Sequence, residues 1–490
     1  MKAKKEHSEV SVHLNKKLVF DRVYPFVNNC VWLLFFCNLC FLALNHDQTH
    51  WDNLGIIRIN RFTILIWTIV TFFAAIVLTY SRRYLNGFTY RAGFVYLTLG
   101  FTISVMLFVA SEHVLLLLFS WFAMGFFMAR LIGSDKDWGE AKEASKFAQK
   151  YFLLSGVCLS IGVLLLAFKS SNFMISGIIA ALLNLSKPIL TNSALFIITA
   201  AIIQSAIYPF HRWLLSAMTA PTPASALMHA GFVNGSGILL TLFSTLLFTT
   251  GTLPLLFIIG GVTAIAAQFT KLLQTSIKHK LACSTIAQMG FMIMQCGLGF
   301  FNAAVAHLIL HGFYKAYLFL SSGENIEASV PIDPLPIRIR PLQAIAVFVF
   351  GLLGACLFAT LTGKGNAMDS GVFLTVTVAI TVGQVTYNIV KQHSLSIWQK
   401  LLWPPIMFFT GIGCYALIYN VVTKLMGDMP GIDAPLPLSM IHILIGILFI
   451  ASFFIMKLGV YRKVPWIYVK LLNSSQPYKK TILMFKNESI

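Results

Sequence analysis

Charge is scarce in this sequence, and acid is scarcer than base. Only 11% of the 490 residues are Asp, Glu, Lys or Arg, with 17 acidic against 36 basic, whereas soluble domains carry about 25% charged residues. With 57% hydrophobic residues and a mean hydropathy of +0.79, a water-soluble fold is excluded. Chemical signatures are missing as well. The chain has no phosphate-cradling loop, dinucleotide fingerprint, nucleophile elbow or paired-cysteine zinc motif. It is therefore expected to be a non-enzyme that needs no cofactor. The eight cysteines form no disulfide framework. Cys30, Cys37, Cys40, Cys158, Cys283, Cys296, Cys356 and Cys414 lie mostly inside apolar runs, where they read as small buried hydrophobes. Cys37 and Cys40 match C-x-x-C but have no second pair.

Apolar runs of about 20 residues, each long enough to cross a hydrocarbon core as a helix, fill most of the chain. Lipid cannot satisfy an open sheet edge, so the fold class is an all-α polytopic membrane helix bundle. Spans are predicted near 24–45, 60–80, 92–110, 114–132, 150–168, 189–209, 222–248, 254–273, 281–299, 303–322, 341–362, 371–390, 404–425 and 439–459, about fourteen in all. Phe173 to Leu185 is too short to span and reads as a half-helix or re-entrant segment. Val23 to Leu44 is too long for a signal-peptide core and lacks a small-residue cleavage site, so it reads as a retained span. The organisation expected is a basic cytoplasmic segment (1–22), one membrane domain (23–460) and a basic cytoplasmic tail (461–490). Glu324 to Arg340, with its three prolines, is the candidate boundary between two halves.

A formal net charge of +19 raises the question of nucleic acid, and the placement of the basic residues answers it. With a cytoplasmic N-terminus, 28 of the 36 Lys and Arg residues fall in inner segments. Six, Arg58, Arg61, Lys169, Lys187, Lys364 and Lys424, fall outside, and Lys271 and Lys315 lie within spans. That asymmetry follows the positive-inside rule for a multi-pass inner-membrane protein with both termini cytoplasmic. The partner surface is membrane lipid.

Ionisable groups in hydrocarbon cost about 2.5–3.5 kcal/mol each on insertion scales and mark function when they persist. His307, His311 and Lys315 stand at i, i+4 and i+8 of one predicted helix, within about 80° of one another and rising about 12 Å. A few hydrogen-bonded waters could bridge that stripe as a proton wire. A shared metal is the competing reading of the two histidines, but the lysine would repel a dication and no carboxylate sits on that span. Ordinary hydrogen bonding to neighbouring helices is the plainer alternative, and it accounts for one histidine more easily than for three aligned groups.

The second candidate region runs from Gln204 to His229. Pro209, Pro221 and Pro223 interrupt helices there, which membrane proteins tolerate where other helices or a water-filled cavity satisfy the freed backbone. Ser205, Tyr208, Thr222 and Ser225 supply hydroxyls, and His229 opens the next span. Lys271 lies near a span end, where it can snorkel to the interface. Glu112 falls on a short outer turn and is expected to be solvated.

Four segments then carry a family likeness: Tyr-Pro-Phe-His-Arg-Trp-Leu (208–214), Ala-Pro-Thr-Pro-Ala-Ser-Ala-Leu-Met-His-Ala (220–230), residues 274–292, and His-Leu-Ile-Leu-His-Gly-Phe-Tyr-Lys (307–315). In that order they resemble the proton-translocating subunits shared by respiratory complex I and Mrp-type cation/proton antiporters, well over 60–330 and loosely elsewhere. Residues 231–234, 294–299 and 468–477 place the resemblance nearest the NuoL-like DabB branch, membrane subunits of bacterial inorganic-carbon pumps. The resemblance implies an antiporter-like fold and a polar axis through His229, His307, His311 and Lys315. It also implies a DabA-type partner, a zinc-containing cytoplasmic or peripheral subunit that would carry any carbonic-anhydrase-like chemistry. Two family positions depart from the pattern: Phe122 follows Trp121 where proton-pumping relatives carry glutamate, and Gln204 replaces a lysine. No lysine lies in 371–390 either. The function expected is cation conduction that drives CO2/bicarbonate accumulation. The alternatives are a proton-pumping subunit of an NADH–quinone oxidoreductase, an Mrp-like sodium/proton antiporter subunit, or a bundle without transport.

Overall fold

The computed structural model describes residues 24–44, 51–53, 55–322, 341–390, 392 and 395–482. The expected basic segment 1–22 and the candidate boundary at 324–340 lie outside the described residues. The chain begins with helix α1 (Tyr24–Leu44). A small antiparallel ribbon follows, β1 (Trp51–Asn53) paired with β2 (Ile57–Ile59), Trp51 opposite Ile59. Next come α2 (Arg61–Tyr84), α3 (Arg91–Ala110), α4 (Val114–Ile132) and α5 (Gly139–Ser170), then the short α6 (Ile175–Ala181) and α7 (Lys187–Gln204). Asn60 caps α2 by accepting from Thr63 N at 2.8 Å.

After α7 the chain breaks up into α8 (Arg212–Ser216), α9 (Thr222–Leu227), a π turn over Met228–Phe232, α10 (Gly235–Leu242) and α11 (Ser244–Thr250). Regular helices resume with α12 (Leu253–Leu272), α13 (Ile277–Gly297), α14 (Phe301–Leu320), α15 (Pro341–Thr362), α16 (Gly371–Val390), α17 (Ile397–Leu425) and α18 (Met440–Leu458). The chain closes with α19 (Val460–Lys463) and α20 (Pro465–Ser474). Among the described residues, twelve segments are long and apolar enough to cross a membrane. The two other spans expected from sequence fall on α13, made less apolar by Lys278, His279 and Lys280, and on α18, whose apolar stretch Met440–Met456 is shorter.

Several boundaries differ from expectation for local reasons. Helix α5 starts well before residue 150 because Glu140, Lys142, Glu143 and Lys146 favour a helix continuing past the bilayer, and Lys146 pairs with Glu143 at 2.7 Å. Helix α17 starts at Ile397, not 404, because Ser396 and Gln399 form a capping box ahead of Pro404 and Pro405. The expected span 222–248 is not one helix but α9, the π turn, α10 and α11. Phe173–Leu185 folds as α6 with a 3-10 turn at Leu182–Asn184, in keeping with a half-helix.

Helices α12 and α13 pack backbone to backbone. A Cβ at Gly290 would lie 2.7 Å from Ala264 N, and one at Gly297 would lie 2.3 Å from Phe257 N. Only glycine permits this approach, the small-residue contact by which membrane helices associate closely. Two expectations about burial are corrected. Cys30, Cys37, Cys40, Cys356 and Cys414 are exposed on outward helix faces, leaving Cys158, Cys283 and Cys296 buried. A bilayer accepts a thiol on its outer face as readily as the bundle interior does. Glu112 is 3% exposed, not solvated. Its carboxylate accepts from Ser176 N at 2.9 Å and from the Ser176 hydroxyl, fastening the first turn of α6.

Candidate polar axis

The two regions singled out in the sequence meet. Helix α14 packs against α9, the π turn, α10, α13 and α17. Gly312 makes that approach possible, since a Cβ there would lie 2.7 Å from the Phe73 ring and 3.2 Å from Ala230 O. Asn234, just past the π turn, donates to Ala230 O at 2.8 Å and across to Leu308 O at 3.3 Å, tying the broken segment to α14.

His229 sits inside the π turn, fully buried, with its ring stacked on Phe319 at 4.3 Å. π-bulges of this kind recur at functional sites. Lys315 is 0% exposed, and its ammonium donates to Leu281 O on α13 at 3.1 Å. His229 and His311 both lie within charge-interaction range of Lys315. The His307 and His311 rings stack with centroids 6.1 Å apart, the rise of one turn. Both nitrogens of His229 and of His311, and Nε2 of His307, have no hydrogen-bond partner within the protein. Buried polar atoms are usually paired, so this concentration of open donors and acceptors sets the axis apart from a structural network. It can hold and pass a proton by exchange at ring nitrogens and amine, and no third His, Cys, Asp or Glu joins a metal-type cluster among the described residues.

Gln204 ends α7 at 1% exposure with its Nε2 unpartnered. Ser205 follows, bonded to Val233 O at 3.1 Å and to the Ser236 hydroxyl, so the end of α7 is pinned to the chain just beyond His229. Lys271 lies in the last turn of α12, half-buried and close enough to Lys315 for their charges to interact. Phe122 lies with its ring against Gly156, where any Cβ would fall 2.3 Å from that ring.

The turn 205–219 is held from two directions. Trp213 donates to Ile203 O at 2.9 Å. The C-terminal segment folds back over it: His211 Nε2 donates to Ser474 O at 2.7 Å, Tyr478 N donates to the Ser216 hydroxyl at 2.9 Å, and the Tyr478 ring stacks on Phe147 at 4.2 Å. Burial holds the His211 imidazole down at about 4, opposed by its bond to Ser474.

Sequence reasoning missed the far end of the axis. His307 borders a cavity of about 360 Å³, shared with Gln295, Thr377, Thr381 and Tyr415. Tyr415 and Tyr419 stack one turn apart on α17, centroids 6.2 Å apart. Tyr415, Tyr419 and Thr423 repeat the i, i+4, i+8 spacing that revealed the histidines, so the signal was present in a helix whose only charges, Lys400 and Lys424, lie near its ends.

Residues 111–389 match the family described as NADH:quinone oxidoreductase/Mrp antiporter, TM. The chain is 35% identical over 306 residues to the probable inorganic carbon transporter subunit DabB of Bacillus anthracis, covering 61% of this chain and 59% of that one. It is 32% identical over 373 residues to the probable inorganic carbon transporter subunit DabB2 of Halothiobacillus neapolitanus, covering 74% and 67%. The fold is similar to the Mrp complex from Dietzia sp. DQ12-45-1b, with a TM-score of 0.60 at 21% identity over 91% of this chain and 55% of that one.

Proposed function

Because this chain belongs to the NADH:quinone oxidoreductase/Mrp antiporter membrane family, we propose that it is an energy-coupling membrane subunit of an inorganic-carbon transport complex. It conducts protons, or another monovalent cation, through His229, His307, His311 and Lys315, with Lys271, Gln204 and Ser205 at the margins of the path. A DabA-type zinc subunit on the cytoplasmic side uses that flow to accumulate CO2 or bicarbonate, and both termini of this chain face the cytoplasm across the inner membrane. The carrying observation is the run of ionisable groups in which both ring nitrogens of His229 and His311 and Nε2 of His307 have no hydrogen-bond partner within the protein. The relatives named as inorganic carbon transporter subunits support the choice of cargo. Phe122 and Gln204, at positions where pumping relatives carry charge, weigh against a complete complex I cycle.

The test is Lys315→Ala in the native complex, reading intracellular inorganic carbon and co-purification of the partner together. Carbon accumulation is expected to be abolished with the complex intact. Unchanged accumulation would overturn the reading, and sodium-dependent proton flux without carbon uptake would move it to an Mrp-like antiporter.

A further inference from the structure

At the end of α14 away from Lys315, a second cluster is assembled from three separate stretches of chain. Lys364, just past α15, forms an ion pair with Asp433 of the α17–α18 connection. The Lys364 ammonium also lies 4.2 Å from the centre of the Phe300 ring. The Tyr419 hydroxyl donates to the other oxygen of Asp433 at 3.4 Å, and Asn302 donates to Tyr419 at 3.0 Å and to Thr423 at 2.9 Å. The same connection caps the start of α14, where Phe301 N and Asn302 N both donate to Ile432 O. The two charged side chains differ in access, Lys364 being 10% exposed and Asp433 30%. One carboxylate thus reaches the surface while bonded to an ammonium sealed behind it. A salt bridge whose only task was stability has no need of the tyrosine ladder that leads inward from it, from Tyr419 to Tyr415 and so to the cavity bordered by His307.

We propose that the Lys364–Asp433 pair is the gate through which the polar axis exchanges protons with the medium on the side opposite Lys315. This rests on the conduction reading above and adds the site where the path leaves the protein. When the Asp433 carboxylate takes up a proton, the neutral acid releases Lys364. Tyr419 then accepts that proton at its oxygen as it gives its own to a water on the Tyr415 side, ending unchanged. Gln295, Thr377, Thr381 and Tyr415 form the polar strip of an otherwise mostly apolar cavity, and water held along that strip carries the proton to His307. When the acid has lost its proton the pair re-forms and the way out closes, so the axis is not open to both sides at once.

Proton flux is measured in proteoliposomes holding the intact complex, with Asp433→Asn, Lys364→Met and Lys315→Ala compared in parallel. Asp433→Asn is expected to lower flux at least tenfold, with the melting temperature held within a few degrees. Flux within twofold of the parent in Asp433→Asn, with Lys315→Ala inactive, overturns the gate and leaves the axis standing. Full flux in Lys315→Ala overturns the axis and the gate with it. If Asp433→Asn fails to accumulate, Thr423→Cys in a chain freed of its eight native cysteines takes its place. That thiol is expected to react with a charged, membrane-impermeant maleimide from one side only, and faster when Lys364→Met is added. A thiol inert from both sides refutes the gate.

Discussion

Replacing Lys315 by Met separates conduction from stability. The substitution keeps most of the side-chain volume and removes the ammonium, which has 0% exposure and one protein hydrogen bond, to Leu281 O. That bond to a charged donor is worth about 1.5–3 kcal/mol. Its acceptor is not stranded by the change, because Leu281 O also accepts from the Thr285 hydroxyl at 3.1 Å. Against the loss stands the removal of a buried ammonium whose desolvation costs on the order of several kcal/mol. The balance comes out between neutral and stabilising. Conduction goes the other way. Successive groups on α14 are separated by a rise of about 6 Å, and deleting the last of three leaves His311 without a partner one turn on. Flux is expected to fall at least tenfold while the melting temperature of the purified complex stays constant or rises. Flux and thermal unfolding are read on the same preparation. A melting temperature lowered by more than about 5 °C would mean that Lys315 holds the fold together, and parental flux would mean that charge crosses by another route.

Glu112→Ala removes the acceptor for Ser176 N and the Ser176 hydroxyl, a loss of about 3–6 kcal/mol at the usual strength of bonds to a carboxylate. Hydrogen exchange should accelerate over 175–184, and unchanged protection there would show that the cap is idle. Docking of the C-terminal segment should depend on pH through His211. Its pKa is lowered from 6.5 to about 4 in the docked state by burial, so docking is at full strength above about pH 6.5 and weakens as pH falls towards 4. Full return of the ring to water on undocking sets the ceiling of the loss at about 1.4 kcal/mol by pH 5.5 and about 3.4 kcal/mol below pH 4. Limited proteolysis of residues 465–482 between pH 7.5 and 4.5 reads this, and a pH response that persists in His211→Phe would assign it to another group.

The membrane spans were legible because lipid demands length and apolarity, which composition displays directly. The histidine–lysine stripe was legible because helical spacing aligns residues within one element, and the broken segment because proline announces itself. What escaped had physical reasons too. Whether Cys37 faces lipid or bundle leaves no trace when both environments are apolar. Glu112 looked like a solvated loop residue because its partner Ser176 lies 64 positions away, and Asp433 is 69 positions from Lys364. Such pairs are made by packing and carry no local periodicity. The extension of α5 into the polar zone escaped a search for apolar length, although Glu143 and Lys146 marked it.

The glycine contact between α12 and α13 has a mechanical consequence. With Gly290 and Gly297 set against the facing backbone, neither helix can slide without dragging the other, so the hairpin behaves as a stiff lever. One arm carries Lys271 and touches α20, and the other offers Leu281 to the Lys315 ammonium. Force applied at the C-terminal segment is therefore delivered, with little slack, to the carbonyl that steadies the least exposed charge among the described residues.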